Sequence, residues 1–341
     1  MNSGKKTLLL CLFGLMLLAG CRKNQFKINV SDIDVQIEIK RLEKDLFSLD
    51  PEDVKGSIPS LIEKYGSFFR LFGYVINAGE LEDPDFADIL VSFCTDRLNV
   101  EVYNLTQRTF PEITGMENEF EAAFNHYKFY FPERQVPYIY TCITGFNNSV
   151  IVGDSVLAIG LDRYLGAGTE YYKRLGIYDY ISARMNPENI VPDCMFGWAD
   201  SEFVFDSIGY KDDNLLTRMI HEGKLKYFEK CMLPEHSDEL IFGFTSAQMN
   251  FCRNNEDQMW TYIVENDFLF NTDQFQIRKF IGEAPFTSYF TNESPGRAAI
   301  WVGFRIIEQY MKKNPNVTLG ELMKKSDVQD ILEGAKYHPA K

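Results

Sequence analysis

Apolar residues alternate with polar ones at Ile33, Val35, Ile37 and Ile39, the period of two that a half-buried strand produces. The period then lengthens. Through "PEDVKGSIPSLIEKYGSFFRLFGYVI" apolar positions recur at helical spacing, and Pro51 after Asp50 suits a first helical turn. Further helices are predicted over about 84–100 and 115–130, where the two prolines of "FPERQVP" end the run. A concentrated β signal follows. "YIYTCITGF" and "SVIVGDSVLAIGLD" are β-branched, and the second reads as a tight hairpin turning at Gly153-Asp154. From Thr169 the spacing is helical again, clearest near 211–231, 245–265, 295–313 and 318–333. No internal repeat, low-complexity stretch or linker interrupts this order. The pattern predicts one α+β domain, mostly helical, with one small β-sheet.

Two of these helices carry the informative residues. The 211–231 segment should be buried along Leu216, Ile220 and Tyr227. In the 295–313 segment Ser294 is a candidate N-cap, Pro295 fits the first turn, and Ile300, Phe304, Ile307 and Met311 share one face. Ala298, Ala299 and Gly303 there permit a neighbouring backbone to come close, whereas Arg297 and Trp301 are less expected on packing grounds. Within the first helix, "MIHEGKLKYF" places His221 and Glu222 as the opening of the zinc motif H-E-x-x-H. The second His would fall at Leu225. A catalytic zinc takes three protein ligands, and two His four apart supply two of them from one helical face. The chain has only His126, His221, His236 and His338, none spaced for such a pair, so no metal or other cofactor is predicted.

Other motifs read as structure. "GLDRYLGAG" lacks the Lys-Ser/Thr of a phosphate loop, and Asp162 there is expected to hydrogen-bond backbone. Thr245 and Gln248 have capping-box spacing, and the carboxylates of "NNEDQMW" read as a solvated helix face. No G-x-S-x-G elbow is present. The 28 Phe and 18 Tyr are mainly core, with enough left over to line a peptide or glycan groove.

The N-terminus changes the picture. Lys5 and Lys6 precede an apolar run over 8–18, too short to span a membrane, followed by "LAGC". This is the pattern of a bacterial lipoprotein signal over residues 1–20, with Cys21 as the lipidated first residue of the mature chain. Two or three acyl chains, at about 0.8 kcal/mol per buried CH₂, anchor a protein without a spanning helix. Residues 21–30 read as a short tether and 31–341 as the single domain. Loss of Lys5 and Lys6 moves the formal charge from −14 to −16, which gives no footprint for nucleic acid. Arg22 and Lys23 leave a small positive patch at the anchor. Arg22 is not the Asp that retains lipoproteins in the inner membrane of enteric bacteria, and no acidic run follows Cys21. The expectation is an outer-membrane anchor with a periplasm-facing body. Cys94, Cys142, Cys194, Cys231 and Cys252 remain, an odd and scattered set read mainly as core residues, with room for one bridge whose partners the spacing does not assign.

The C-terminal third is similar to a known family. "NESPGRAAIWVGFRIIEQYMKKNP" followed by "LGELMKKSDVQDILEGAKYHP" resembles the C-terminus of the GldB family, lipoproteins of Bacteroidetes associated with gliding motility. "DVQIEIKRLEKDLF", "IGLDRYLG", "NIVPD" and "APFTSYF" match in order, so the resemblance spans nearly the whole chain. Family relatives occur in species that do not glide. The family pattern is in turn distantly similar to zinc-dependent proteases of the zincin type, with a G-x-W-x-G segment on a late helix. That likeness implies a zincin-like fold in which Glu222-Gly223 stands where the relatives' third ligand lies. The H-E-x-x-H helix would then fall within 180–203, which contains no His. It implies a vestigial site at Glu222, with His221 incidental and Arg297, or else Arg184, paired to the stranded carboxylate. Two functions follow as expectations. One is a catalytically silent domain that binds an unidentified envelope protein. The alternative is an active envelope hydrolase with an unusual site around Glu222.

Overall fold

The alternation at 33–39 has an unexpected cause. In the structure, a computed structural model that describes residues 24–339, only Ile39–Arg41 (β1) joins the sheet. Upstream, the extended backbone lies along the Thr114–Tyr130 helix, whose side chains take the place of a partner strand. The N–H groups of Val35, Ile37 and Ile39 donate to Asn125 Oδ1 (2.8 Å), Glu121 Oε1 (3.1 Å) and Glu117 Oε1 (3.1 Å). Two extended residues advance about 6.7 Å and four helical residues about 6 Å, so every second N–H meets every fourth side chain.

The remaining strands are β2 (Tyr138–Cys142), β3 (Val150–Gly153) and β4 (Val156–Gly160). Their order is β1-β2-β4-β3, with β4 antiparallel to β3 and the other two pairings parallel. The hairpin turns at Asp154-Ser155, one residue later than expected, because Gly153 still pairs with Val156 and Ser155 takes the left-handed conformation at φ 56°. Every residue of β4 is buried, as a central strand covered on both faces requires. Tyr140, Cys142, Val156 and Ala158 face one core, and Ile139, Leu157 and Ile159 face the other.

The first core is closed by α1 (Leu42–Phe47), α2 (Val54–Tyr65), α3 (Ser67–Val75) and α4 (Phe86–Thr95), through Phe68, Phe69, Phe72 and Phe86. The predicted 84–100 helix stops at Thr95. Asp96 accepts a hydrogen bond from Asn99 N–H and caps α5 (Arg97–Thr109), which leads into α6 (Thr114–Tyr130). On the other face lie α7 (Ile190–Glu202), α8 (Leu215–Met232), α9 (Asp238–Phe242), α10 (Ala298–Lys313), α11 (Leu319–Lys324) and α12 (Val328–Ala335). The predicted 318–333 helix is likewise divided, with Asp327 capping its second half. The 245–265 helix divides at Asn255, and Thr245–Gln248 form the expected capping box at its start.

The closest helix pair is α8 with α10. A Cβ on Gly303 would stand 1.9 Å from Met219 O, and one on Gly223 would stand 2.4 Å from the Gly303 carbonyl carbon. Leu216 and Ile220 are fully enclosed and Tyr227 nearly so. The start of α10 differs from expectation. Ser294 does not cap it: its hydroxyl bonds Thr287 and Thr291, while Thr287 Oγ1 accepts from Ala298 N–H (2.9 Å) and Arg297 turns left-handed at φ 63°. Asp162 fulfils its predicted role, its buried carboxylate accepting from the N–H groups of Thr144 (3.0 Å) and Phe146 (2.5 Å). Glu256, read as part of a solvated face, is instead buried and receives Arg305 Nε (3.0 Å) and Tyr337 OH (3.0 Å). All five described cysteines are buried and free. No described helix is long and apolar enough to cross a membrane. The first described residues already pack on the body: Phe26 is buried against Tyr227, and Asn24 Nδ2 donates to Pro234 O (2.8 Å).

Candidate functional site

Glu222, Lys226 and Glu229 fall at i, i+4 and i+7 of α8 and so share one helical face. That face looks toward α7, α9 and the start of α10. Lys226, only 4% exposed, donates to Glu229 Oε2 (2.7 Å) and to the Ile241 carbonyl (2.7 Å), and its ammonium lies 4.3 Å from the Phe196 ring centre. Arg184 reaches in from the loop before α7, pairing with Glu283 (2.9 Å) and Asp193 (3.4 Å). Asp193 also accepts from Tyr164 OH (3.0 Å). Arg297 pairs with the same Glu283 oxygen (3.3 Å) and donates to the Phe242 carbonyl (3.2 Å). Three cations thus meet three carboxylates, and they do so beside an open cleft of about 450 Å³ lined in part by Tyr180, Arg184, Thr245, Gln248, Glu283 and Arg297. Gly243, left-handed at φ 62°, makes room for this: a Cβ there would stand 2.3 Å from Arg184 Nε.

Burial governs the protonation of the cluster. It raises Glu229 to about 7 against the pull of Lys226, lowers Lys226 against the pull of Glu229, and brings Arg297 down to about 10. Burial also raises Glu222, opposed first by Lys226. The expected pairing of Glu222 with Arg297 or Arg184 is not formed. Glu222 is half-buried without a hydrogen bond or ion pair among the described residues, and both arginines are engaged by Glu283 instead. Glu283 sits on the loop before α10 and is exposed, so it reaches both guanidinium groups from the cleft side.

His221 points elsewhere. Its Nδ1 meets Tyr210 OH (3.2 Å) and its ring stands edge-on to Phe205 at 5.1 Å. Burial lowers its pKa to about 4, with Lys224 and Arg218 adding to the effect. A neutral folded imidazole stabilises fully above the unfolded value near 6.5, and that stability is lost as pH falls toward 4. The lost contribution is about 3 kcal/mol. His221→Phe should therefore unfold less steeply with acid in urea titrations across this window. An unchanged acid slope would contradict the buried, neutral assignment.

The arrangement does not fit a zinc ion. The carboxylate that the zincin likeness offers as a ligand has the Lys226 ammonium one turn away, and α7 contributes Asp193 and Phe196 to the cluster rather than imidazoles. Among the described residues, no three His, Cys, Asp or Glu converge to hold a metal. Sequence reasoning missed Lys226, Glu229, Asp193, Glu283 and Gly243. One signal was available: "HEGKLKYFEK" carries a charge on every side of the helix, which a helix with one solvent face does not need.

The protein-family model described as gliding motility protein GldB matches residues 23–339, nearly the whole chain. The chain belongs to the GldB family. Neither a curated protein nor a solved structure matches it. The match extends over both faces of the sheet and through α8, α10 and the charged cluster. Cys21 lies outside the described residues.

Proposed function

We propose that this GldB-family chain is a gliding-motility-associated lipoprotein of the cell envelope, anchored at Cys21, whose domain is catalytically silent and acts by binding an envelope protein. The observation that supports silence is the Lys226–Glu229 pair with its Ile241 carbonyl. A lysine held by buried acceptors beside Glu222 supplies the cation that a metal would otherwise supply in a zincin-like site. The anchor leaves the body on the periplasmic side of the outer membrane, consistent with Arg22 directly after the lipidated residue.

The competing reading, a hydrolase built on Glu222, draws on one feature. That carboxyl is half-buried, lacks a bonded partner among the described residues, and has a raised pKa, as a general acid requires. Genetics separates the two. In a gliding host lacking its own family member, Glu222→Gln should restore motility as well as the wild-type chain at equal abundance. A stable but non-complementing Glu222→Gln protein would favour the hydrolase.

A further inference from the structure

The first described residues fix how the body meets the membrane. Asn24 is bonded to Pro234, Gln25 Nε2 donates to Glu308 Oε1 (2.9 Å), and Lys27 pairs with Glu235 (2.7 Å). Only residues 22 and 23 separate Asn24 from Cys21, a reach of roughly 10 Å when extended. With acyl chains on Cys21, the surface around Asn24 must therefore lie against the lipid headgroups.

That surface holds an open cavity of about 750 Å³, lined by Gln25, Lys230, Arg305, Glu308, Lys312 and Lys313 among others. Its four cations outnumber its single carboxylate, in a chain of formal charge −14. Most of the cations have internal partners. Arg305 serves Glu256 and Glu308, Lys230 serves Asp238, and Lys313 caps the carbonyls of Ala335 and Lys336. Lys312 is exposed and makes no hydrogen bond or ion pair among the described residues. A positive cavity in an acidic protein, set beside the anchoring terminus, suits a negatively charged partner in the membrane plane.

We propose that this cavity binds the phosphate of an anionic phospholipid headgroup, with Lys312 and Lys313 as its contacts. Binding there holds the C-terminal end of α10 against the membrane and turns the acidic remainder, with the Arg184–Arg297 cleft, away from it. The proposal rests on lipidation at Cys21.

The test uses the lipidated mature protein reconstituted in phosphatidylcholine vesicles, with or without phosphatidylglycerol. Because the five described native cysteines are buried, a thiol fluorophore reports an introduced cysteine selectively. Asn316→Cys sits beside Lys312, and Glu63→Cys on α2 lies across the sheet from it. A headgroup-attached quencher should quench the probe at 316 severalfold more than that at 63, and more on anionic vesicles. Lys312→Glu should reduce the anionic preference by about fivefold or more. Equal quenching at both positions, or quenching indifferent to phosphatidylglycerol, overturns the headgroup site. A chain that takes up no palmitate analogue at Cys21 overturns the anchor and the placement of this face together.

Discussion

Gly303→Ala is expected to destabilise the protein by about 3 kcal/mol or more, near or above the upper end of ordinary overpacking. The added methyl would stand 1.9 Å from Met219 O, and the obstacle is helix backbone rather than a side chain able to swing aside. Relief requires α8 and α10 to separate, and each buries most of its residues against neighbours. Gly115→Ala is the matched control. It sits in α6 with nothing within 4 Å of the added Cβ, so it should be neutral or stabilising by about 0.5–1 kcal/mol. Urea midpoints of the two variants measure the difference. Similar midpoints would contradict the close crossing on which the charged cluster depends.

Lys226→Met should cost about 3–5 kcal/mol, because it strips the cation from a carboxylate that is only 1% exposed. The Ile241 carbonyl loses its donor at the same time. Lys226→Met with Glu229→Leu should recover most of the loss, since a buried ion pair replaced by apolar side chains is often neutral or better. The pH dependence has a definite sign. Burial raises folded Glu229 to about 7, above its unfolded value near 4.3, so its contribution is greatest below 4.3 and is lost as pH rises toward 7. Without Lys226 that loss deepens. The single variant should therefore lie nearest to wild type in acid and farthest from it above neutrality. A double variant no more stable than Lys226→Met alone would mean that the pair contributes more than mutual neutralisation.

The large features were legible because burial leaves a periodic trace. The small sheet, α6, α8 and α10, the close-packing Gly303 and the roles of Asp162 and Thr245 all follow from spacing and residue type. The failures have local causes. Val35 and Ile37 alternate as a strand would, yet their N–H partners are side chains of α6, and periodicity does not distinguish a strand from a helix surface as partner. Asp96 and Asp327 end predicted helices because a side chain competes with the ladder for the N–H three residues on. Ser294 has the composition of a cap, but Thr287, seven residues upstream, holds the site. The candidate site was half visible. Glu222, Arg297 and Arg184 lie in or around one cluster, but their pairing was misassigned because Glu283, distant in sequence from Arg184, reaches both arginines first. Lys226 went unremarked because a lysine in a helix is ordinarily solvated, and only the tertiary fold places it inside.

We propose that Lys226, held by Glu229 and the Ile241 carbonyl on the helical face that carries Glu222, disfavours a bound zinc ion there. Elemental analysis of the mature protein, purified without chelators and dialysed against zinc-free buffer, tests it most directly. Zinc is expected far below one equivalent per chain, with Glu222→Ala leaving that content unchanged. One tightly held zinc per chain, lost in Glu222→Ala, would contradict the proposal and establish the hydrolase reading in its place.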